Sequence, residues 1–334
     1  MPDHALPLVD ISRLQSPDRA DRLAVAQELD RACVEAGFLY VTGSQIDAGL
    51  RARLVARAQD YFAQDLATKM QGYIGLSHNH SGYVPVGEEQ FGSGPPDLKE
   101  AYDINVDYHG AERRPLLGPN LWPAMPGFRA DVQAWYAHLT GISHQLFRAF
   151  ALALGLEETH FDAHLRHPPS QLRLIHYPHD PAAQDRPGIG AHTDYECFTL
   201  LHVTAPGLQV VDRHGAWFDV PLIDGALIMN VGDMMEIMSN GRYLATKHRV
   251  KKVAQERYSF PLFCSCDYDH VIAPVVRGEA PRYRPIKGGE HLFNQTAQTF
   301  VYLKQRIARG ELVLNDPVPL ASFGRPEAAA GAEA

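Results

Sequence analysis

The sequence predicts a core made mainly of β-strands, with helices around it. After about residue 170, short runs rich in β-branched, aromatic and other apolar residues alternate with Gly, Pro, Asp or Asn-Gly signals, as in consecutive strands. Before that point, apolar residues recur at the three- and four-residue spacing of helices. Many short strands with no helix between them favour an antiparallel sandwich, a jelly roll or a barrel.

Helices are predicted in the first half of the chain. The Ser-Pro-Asp sequence at 16–18 is a typical helix start, and Gly37 ends that helix. The run FLYVTG (38–43) then predicts a short strand, and a second helix begins at Asp47. A long helix is predicted from Phe128 to near Gly155, because apolar residues follow one another there at helical spacing.

Five segments are expected along the chain. They are an N-terminal region of helices and loops (1–125) with a candidate lid (72–123), a long supporting helix (126–165), the β core (166–275), a C-terminal segment (276–315) with a helix from Glu290 to Ile307, and a tail (316–334). The tail has few apolar residues to bury, so we predict that it is disordered.

Composition and charge exclude some classes of partner. A chain of 334 residues can bury a sizeable core, and 45% hydrophobic with 21% charged residues is typical of a globular protein. The formal net charge of −8, without a block of Lys or Arg, argues against nucleic-acid binding. No apolar run reaches the ~18 residues of a membrane span, and the start lacks a secretory pattern. We therefore expect a cytoplasmic protein with no membrane partner.

Four cysteines are too few and too irregularly spaced for a disulfide framework. Cys264 and Cys266 would share one face of a strand, and with His270 nearby a thiolate metal site is one alternative. A single close pair is weak evidence for such a site. Buried, reduced thiols are the preferred interpretation.

Three residues suggest a metal site. His192 and Asp194 lie in IGAHTDYECFTLL (189–201), and residues i and i+2 of a strand share one face about 6.6–6.8 Å apart, so both can reach one ion. Alone, such a pair is more often a polar pair on a solvated strand. His248, in KHRV, follows far enough downstream for strands to return to the same place. Two histidines and one carboxylate leave open positions on an octahedral ion, as in oxygen-activating non-haem Fe(II) sites.

A carboxylate receptor is predicted a few residues after His248. Arg257 and Ser259 share one face of the strand ERYSF (256–260). An Arg fork and a hydroxyl at this spacing suit a carboxylate, since charge-assisted hydrogen bonds are the strong ones. Next to a metal, such a receptor indicates a small bidentate acid.

With these motifs in this order, the sequence resembles the Fe(II)/2-oxoglutarate-dependent dioxygenases, in the isopenicillin-N-synthase-like branch. The resemblance covers nearly the whole chain, including the segments LPLVDIS, ACVEAGFLYVTG, SGYVPVGEE, DLKEAYDI, GPNLWP and LRLIHYP. It implies a double-stranded β-helix, a cupin-like jelly roll, that holds Fe(II) through His192, Asp194 and His248. It also implies that Arg257 and Ser259 bind the distal carboxylate of 2-oxoglutarate.

The resemblance bears on further residues. Tyr177 matches a tyrosine that reaches the co-substrate carboxylate in relatives, but Ile175 replaces an Asn common in plant relatives. Glu196, where relatives often have Gly, either binds a cationic substrate group or, as preferred, is solvated beyond the rim of the site. Arg173 binds a substrate carboxylate or forms a structural ion pair. Phe263 matches a position that lines the substrate pocket, although a strand aromatic is commonly core.

Other polar residues receive structural interpretations. His78 and His80 lie in a loop without a carboxylate partner, and we expect them to be lid or surface residues. His202, in strand register with the metal-ligand candidates, is a candidate to support them from behind. The segment NVGD (230–233) is expected to be a turn, and Asn240-Gly241 a hairpin.

The resemblance thus implies an oxidoreductase that uses Fe(II), 2-oxoglutarate and O2 to oxidise a small organic molecule, most simply by hydroxylation, with release of succinate and CO2. An iron oxidase of the same family that acts without 2-oxoglutarate, or an ethylene-forming enzyme, is an alternative. A zinc hydrolase or a non-catalytic metal-binding barrel is a remote one. Neither the prime substrate nor the oligomeric state is predicted.

Overall fold

The computed structural model describes residues 6–90, 97–112, 114–179, 188–251 and 255–315. The strands in these ranges are β1 (Leu8–Asp10), β2 (Phe38–Thr42), β3 (Gly82–Val84), β4 (Glu100–Ile104), β5 (Gln171–Tyr177), β6 (Ile189–His192), β7 (Phe198–Val203), β8 (Leu208–Val211), β9 (Trp217–Asp219), β10 (Leu227–Val231), β11 (His248–Val250), β12 (Arg257–Cys264), β13 (Val271–Ile272) and β14 (Ile286–Lys287). The helices are α1 (Arg19–Ala36), α2 (Ala48–Phe62), α3 (Leu66–Met70), α4 (Phe128–Ala153), α5 (Asp233–Met238), α6 (Gly288–Ala297) and α7 (Val301–Ala308).

The predicted starts of α1 and α2 and the predicted end of α1 are confirmed. Asp18 caps α1, because its carboxylate accepts a hydrogen bond from the N–H of Ala20 at 2.8 Å. Gly37 ends α1 in the left-handed conformation, with φ of +64°, which a residue without Cβ adopts most readily. Asp47 caps α2 in the same way as Asp18 caps α1. The helix α4 ends at Ala153, close to Gly155 as its spacing predicts but short of the 126–165 segment assigned to it, because the chain turns at Gly155 with φ of +73°.

The strands form two main antiparallel sheets and a small two-stranded one. The large sheet has the order β1-β2-β10-β7-β12-β5-β4-β3, in which only the β1–β2 pair is parallel. The small sheet has the order β6-β11-β8-β9. Parts of the candidate lid therefore belong to the large sheet as β3 and β4, while residues 91–96 and 113 of that range lie outside the described residues, as does the tail 316–334.

Strand alternation decides what each face of the large sheet contacts. On β2, Leu39 and Val41 join the core that includes α1 and α4, whereas Phe38 and Tyr40 pack with Leu208 and other residues of the small sheet. Because successive side chains of a strand point to opposite faces, one strand serves both layers. The two sheets thus stack with the helices on the outer face of the large one, as expected for a jelly roll.

The C-terminal part differs from the predicted single helix. The break falls between α6 and α7, where the N–H of Val301 donates to the carbonyl oxygen of Glu88 at 2.9 Å. Phe300 also forms an isolated β-bridge with Glu89. Pairing with a distant segment therefore interrupts the helix and fixes the position of Phe300.

Asn240-Gly241 is a turn but not a hairpin. Both residues have positive φ, +56° and +77°, and they follow α5. The flanking strands β10 and β11 lie in different sheets. Within the ranges the structure describes, no helix is both long and apolar enough to cross a membrane.

Candidate active site

Three predicted metal ligands come together at the small sheet. His192 ends β6 and His248 begins β11, and the two residues face each other directly across these paired strands. Oδ1 of Asp194 lies 3.7 Å from Nε2 of His192 and 3.5 Å from Nε2 of His248. One candidate ligand atom from each residue lies within 4.8 Å of the others, so a single ion can contact all three.

Backbone carbonyls orient both imidazole rings. Nδ1 of His192 lies 2.8 Å from the carbonyl oxygen of Gly190, and Nδ1 of His248 lies 3.2 Å from that of Thr246. A carbonyl oxygen only accepts, so each Nδ1 carries a hydrogen, and in the neutral ring Nε2 is the nitrogen that keeps the lone pair. This is the tautomer that a metal ligand needs.

The charges of the three residues are coupled. Burial, reinforced by the positive charge of His248, lowers the pKa of His192 to about 4, so its ring is neutral at pH 7. Burial disfavours the charged form of His248, but the Asp194 carboxylate outweighs this effect and raises its pKa. Burial likewise opposes ionisation of Asp194, yet His248 holds the pKa of that carboxyl well below its usual range.

Two polar residues hold the second oxygen of Asp194. The side-chain amide of Asn230 donates to Oδ2 at 2.7 Å, and the Thr199 hydroxyl donates to it at 2.5 Å. Asn230 is therefore a buried member of β10, which corrects its interpretation as part of a turn. In the sequence, the single polar residue of the otherwise apolar run LIMNV (227–231) could have indicated that Asn230 supports a ligand.

Gly232 lets the chain after β10 approach the loop that follows β6. A Cβ at Gly232 would lie 2.3 Å from the backbone oxygen of Glu196, so a side chain does not fit. The next N–H, of Asp233, donates to the carbonyl oxygen of Asp194 at 2.8 Å. The loop that carries the carboxylate ligand candidate is thus fixed by backbone contacts as well.

The predicted carboxylate receptor is buried. Arg257 is 1% exposed and Ser259 2% exposed, and both point to one face of β12. Arg257 faces Tyr177 across β5 and β12, with its guanidinium carbon 4.7 Å from the Tyr177 ring centre. Tyr177 packs with Ile189 of β6 and Val250 of β11, the two strands that carry the histidines.

Among the residues that the structure describes, no Asp or Glu forms an ion pair with the guanidinium of Arg257. Its Nε donates to the carbonyl oxygen of Ala205 at 3.1 Å, while Nη1 is buried without a hydrogen-bond partner among the described residues. Burial lowers the pKa of Arg257. Buried polar groups are normally satisfied, so an unpaired guanidinium N–H indicates a place for an anionic ligand.

A cavity opens beside the metal-ligand candidates. Its walls include the predicted residues Arg173, Glu196 and Phe263, together with residues that were not predicted, namely His80, Glu89, Lys99, Gln171, Tyr195, Thr296, Thr299 and Phe300. Several of these come from the C-terminal helices or from the region before β4. No sequence motif marks these residues, and they become neighbours only in the folded protein.

Glu196 is buried, not solvated beyond the rim. It is 7% exposed and lines the cavity. Burial, with the charge of Asp194 added, raises the pKa of Glu196 to about 8. Strand alternation does not apply to it, because β6 ends at His192 and the chain folds back before β7 begins at Phe198.

Arg173 forms the structural ion pair that was one of its two interpretations. Its Nε donates to Oδ1 of Asp103 at 2.9 Å and its Nη1 to Oε1 of Glu89 at 3.2 Å. Burial outweighs Arg173 and raises the pKa of Asp103 to about 6. Nη2 of Arg173 is buried without a partner in the part of the chain described here.

Two histidine predictions are corrected and one agrees. His78 is exposed, as expected, but His80 is 3% exposed and its Nδ1 lies 2.7 Å from the hydroxyl of Tyr302. His202 stacks on Phe260 and lines a separate cavity of about 650 Å³ under α2. The loop between β6 and β7 changes the strand register, so Thr199 faces Asp194 and His202 faces away.

Within the described ranges, Cys264, Cys266 and His270 do not come together as the alternative thiolate site. Cys33, Cys197, Cys264 and Cys266 are buried free thiols, which agrees with the preferred interpretation. Among the residues whose positions are described, the side chains suited to hold a metal in groups of three or more meet at His192, Asp194 and His248.

Known proteins match both parts of the chain. Residues 6–125 match the family model described as "non-haem dioxygenase in morphine synthesis N-terminal", and residues 168–265 match that of the 2OG-Fe(II) oxygenase superfamily. The chain is 35% identical over 303 residues to the 2-oxoglutarate-Fe(II) type oxidoreductase hxnY of Emericella nidulans, covering 84% of this chain and 86% of that protein. It is 33% identical over 325 residues to homoarginine-6-hydroxylase 2-ODD-233 of Oryza sativa subsp. japonica, covering 89% and 98%.

Solved structures show the same fold. A full-length protein of Neurospora crassa in complex with alpha-KG has a TM-score of 0.77 at 25% identity, covering 92% of this chain and 98% of that one. A 2OG-Fe(II) oxygenase family protein from Caulobacter crescentus has a TM-score of 0.76 at 31% identity, covering 92% and 99%. These matches confirm the jelly-roll core. The chain belongs to the Fe(II)/2-oxoglutarate-dependent oxygenase family.

Proposed function

We propose that His192, Asp194 and His248 hold the Fe(II) of this dioxygenase, and that the enzyme hydroxylates a small organic molecule in the adjoining cavity. The observation that carries the proposal is the convergence of two imidazole Nε2 atoms and one carboxylate oxygen within 4.8 Å. This donor set suits an oxygen-activating Fe(II) with open positions. The unpaired N–H of buried Arg257 supplies a matching place for the distal carboxylate of 2-oxoglutarate.

When bound, Fe(II) with 2-oxoglutarate and O2 supplies the oxidising power that inserts oxygen into a C–H bond and releases succinate and CO2. The residues of this chain supply placement. Asn230 and Thr199 orient Asp194, and the walls of the cavity position the substrate.

Arg257, Ser259 and Tyr177 would fix the far end of the co-substrate, because all three lie on the paired strands β5 and β12. In a 2-oxoglutarate-independent oxidase, this buried receptor would have to bind a carboxylate of the substrate instead. A hydrolase would have no use for it.

The names of related proteins support a small-molecule substrate without identifying it. The Neurospora crassa protein has been crystallised with thymine and with 5-formyluracil, JOX2 with JA, and the plant relatives are named for homoarginine. These molecules differ in charge and shape, so a panel of substrates is needed.

Two measurements test the proposal. Anaerobic addition of 2-oxoglutarate to the Fe(II)-loaded protein is expected to produce a visible charge-transfer band, and a substrate panel in air is expected to stimulate succinate release. Asp194→Ala is expected to abolish both. Full O2 consumption by Asp194→Ala would overturn the ligand assignment, and O2 consumption that needs no 2-oxoglutarate would favour the oxidase alternative.

A further inference from the structure

We propose that the substrate carries a cationic group, an ammonium or a guanidinium, which pairs with the carboxylate of Glu196. This inference deepens the proposed function and rests on it, because it takes the cavity beside His192 and Asp194 as the substrate site.

The position of Glu196 is the first argument. Its side chain lines the cavity two residues after Asp194, and the residue is 7% exposed. Its backbone is fixed, since the N–H of Met234 donates to its carbonyl oxygen at 3.1 Å. Across the described ranges, no Lys, Arg or His side chain lies within 4.0 Å of its carboxylate. The carboxylate accepts hydrogen bonds from the backbone N–H groups of Tyr195 and of Glu196 itself, but these groups carry no charge that would balance it. Burying a carboxylate without a counter-charge is costly, and a bound cation removes that cost.

The cations of the cavity wall are already engaged. Arg173 donates to Asp103 and Glu89. Nζ of Lys99 lies 2.7 Å from Oε2 of Glu89 and 3.6 Å from Oδ2 of Asp97. The protein therefore supplies acids for its own two cations in this wall, and Glu196 is the acid left over.

The charge balance points the same way. Glu89, Asp97 and Asp103, when ionised, carry one negative charge more than Arg173 and Lys99 together, and Glu196 adds a second once a bound cation favours its ionised form. The metal site does not reverse this balance, because the charges of Fe(II) and Arg257 equal those of Asp194 and the 2-oxoglutarate dianion. A cavity with excess negative charge attracts a cationic ligand and repels an anionic one.

Aromatic walls also suit a cation. Phe263, Tyr195 and Phe300 line the cavity, and ring faces attract ammonium and guanidinium groups. The ring of Phe300 already has the Arg173 guanidinium carbon 5.7 Å from its centre. Phe263 and Tyr195 remain to contact the substrate.

A second polar contact narrows the class further. Nη2 of Arg173 is buried without an acceptor among the residues described, and Arg173 lines the same cavity as Glu196. Because two acids already neutralise this guanidinium, Nη2 suits a carbonyl or carboxylate oxygen as one hydrogen-bond acceptor. The favoured substrate is thus a small organic cation that also carries an oxygen acceptor.

The test compares pairs of probes that differ in charge but hardly in shape, none of which carries an α-ammonium: butylguanidinium with butylurea, 4-guanidinobutanamide with 4-ureidobutanamide, and 6-aminohexanamide with 6-hydroxyhexanamide. Binding is read from the perturbation of the visible band of the anaerobic Fe(II)–2-oxoglutarate complex, and turnover from stimulated succinate release. In the wild-type protein we expect at least one cation to bind about 10- to 100-fold more tightly than its neutral partner.

Variants assign this preference to Glu196. Glu196→Gln keeps the shape and is expected to abolish the preference, whereas Glu196→Asp keeps the charge and is expected to retain part of it. Glu35→Gln, on the exposed side of α1, is the matched control and is expected to behave as wild type. The fold of each variant is checked by the 2-oxoglutarate band itself.

The outcomes separate the two levels of inference. Equal or tighter binding of the neutral probes, no response to any cation into the millimolar range, or an unchanged preference in Glu196→Gln would each overturn the proposed substrate class. Failure of the proposed function would appear earlier, as the absence of the 2-oxoglutarate band before any probe is added.

Discussion

The side-chain amide of Asn230 donates to Oδ2 of Asp194 at 2.7 Å, and this bond decides which carboxylate oxygen faces the two histidines. The Thr199 hydroxyl donates to the same oxygen, so Oδ1 is left towards His192 and His248. A carboxylate held in this way does not have to reorganise when an ion binds.

Replacing Asn230 tests this arrangement. Asn230→Leu keeps the approximate shape of the side chain but removes the donor, and we expect Fe(II) to bind about 10- to 100-fold more weakly. Anaerobic Fe(II) titration measures the affinity, and circular dichroism reports whether the fold is kept. Thr199→Val is expected to act in the same direction. Unchanged affinity in both variants would show that Asp194 does not depend on these bonds.

Arg257→Met removes the guanidinium that we assign to 2-oxoglutarate. Because charge-assisted hydrogen bonds contribute about 1.5–3 kcal/mol each, the dissociation constant for 2-oxoglutarate is expected to rise by roughly 10- to 150-fold. Fe(II) affinity is expected to stay the same. The matched control is Arg249→Met, which removes a guanidinium at a place that we do not assign to 2-oxoglutarate. The guanidinium carbon of Arg249, in the small sheet, lies 4.2 Å from the centre of the Trp217 ring. Equal effects of the two variants on 2-oxoglutarate binding would contradict the assignment.

A buried ion pair supports the large sheet next to α3. Oε2 of Glu100 accepts hydrogen bonds from Lys69 at 2.7 Å and from the Tyr83 hydroxyl at 2.5 Å, and Oε1 lies 2.9 Å from Nδ1 of His176. Glu100→Gln leaves the Lys69 ammonium buried without its counter-charge, and we expect the free energy of unfolding to fall by about 3–5 kcal/mol. Urea denaturation measures the change. Adding Lys69→Met removes the stranded charge and is expected to recover part of the loss, whereas no recovery would show that the charge is not the cause.

The stability of the protein is expected to depend on pH through His291. Burial lowers the pKa of this histidine to about 4 in the folded state, while an unfolded histidine titrates near 6.5. Below pH 6.5 the unfolded state therefore binds more protons, and stability falls until the pH reaches about 4. His291→Leu removes this contribution. Urea denaturation at pH 7 and pH 5 is expected to show a smaller loss of stability in the variant, by about 1–2 kcal/mol. An identical loss of stability between pH 7 and pH 5 in both proteins would exclude His291 as a source of the pH dependence.

Much of the fold and of the metal site could be predicted because both depend on local spacing. Asp18 and Asp47 are of the residue type preferred at the N-cap, so a short stretch of sequence is enough to indicate the helix starts. His192 and Asp194 were recognisable from their spacing, and the order of His248, Arg257 and Ser259 supplied the rest.

The remaining site residues depend on contacts that local spacing does not encode. Strand alternation predicts that Glu196 and His202 share a face with Asp194, but the loop between β6 and β7 resets the register, and Thr199 takes the supporting position. His80 is buried by Tyr302, 222 residues further along the chain. Only the assembled fold shows that such segments meet.

His192 and His248 face each other across β6 and β11, and β6 is a four-residue strand at the edge of its sheet. The Fe(II) that we propose to lie between the two histidines would cross-link that edge to its neighbour. A ligand that binds only the native state stabilises it by about 2.7 kcal/mol at 100 times its dissociation constant. The supply of iron in the cell would then govern how often this edge opens to proteases, and so the lifetime of the enzyme as well as its rate.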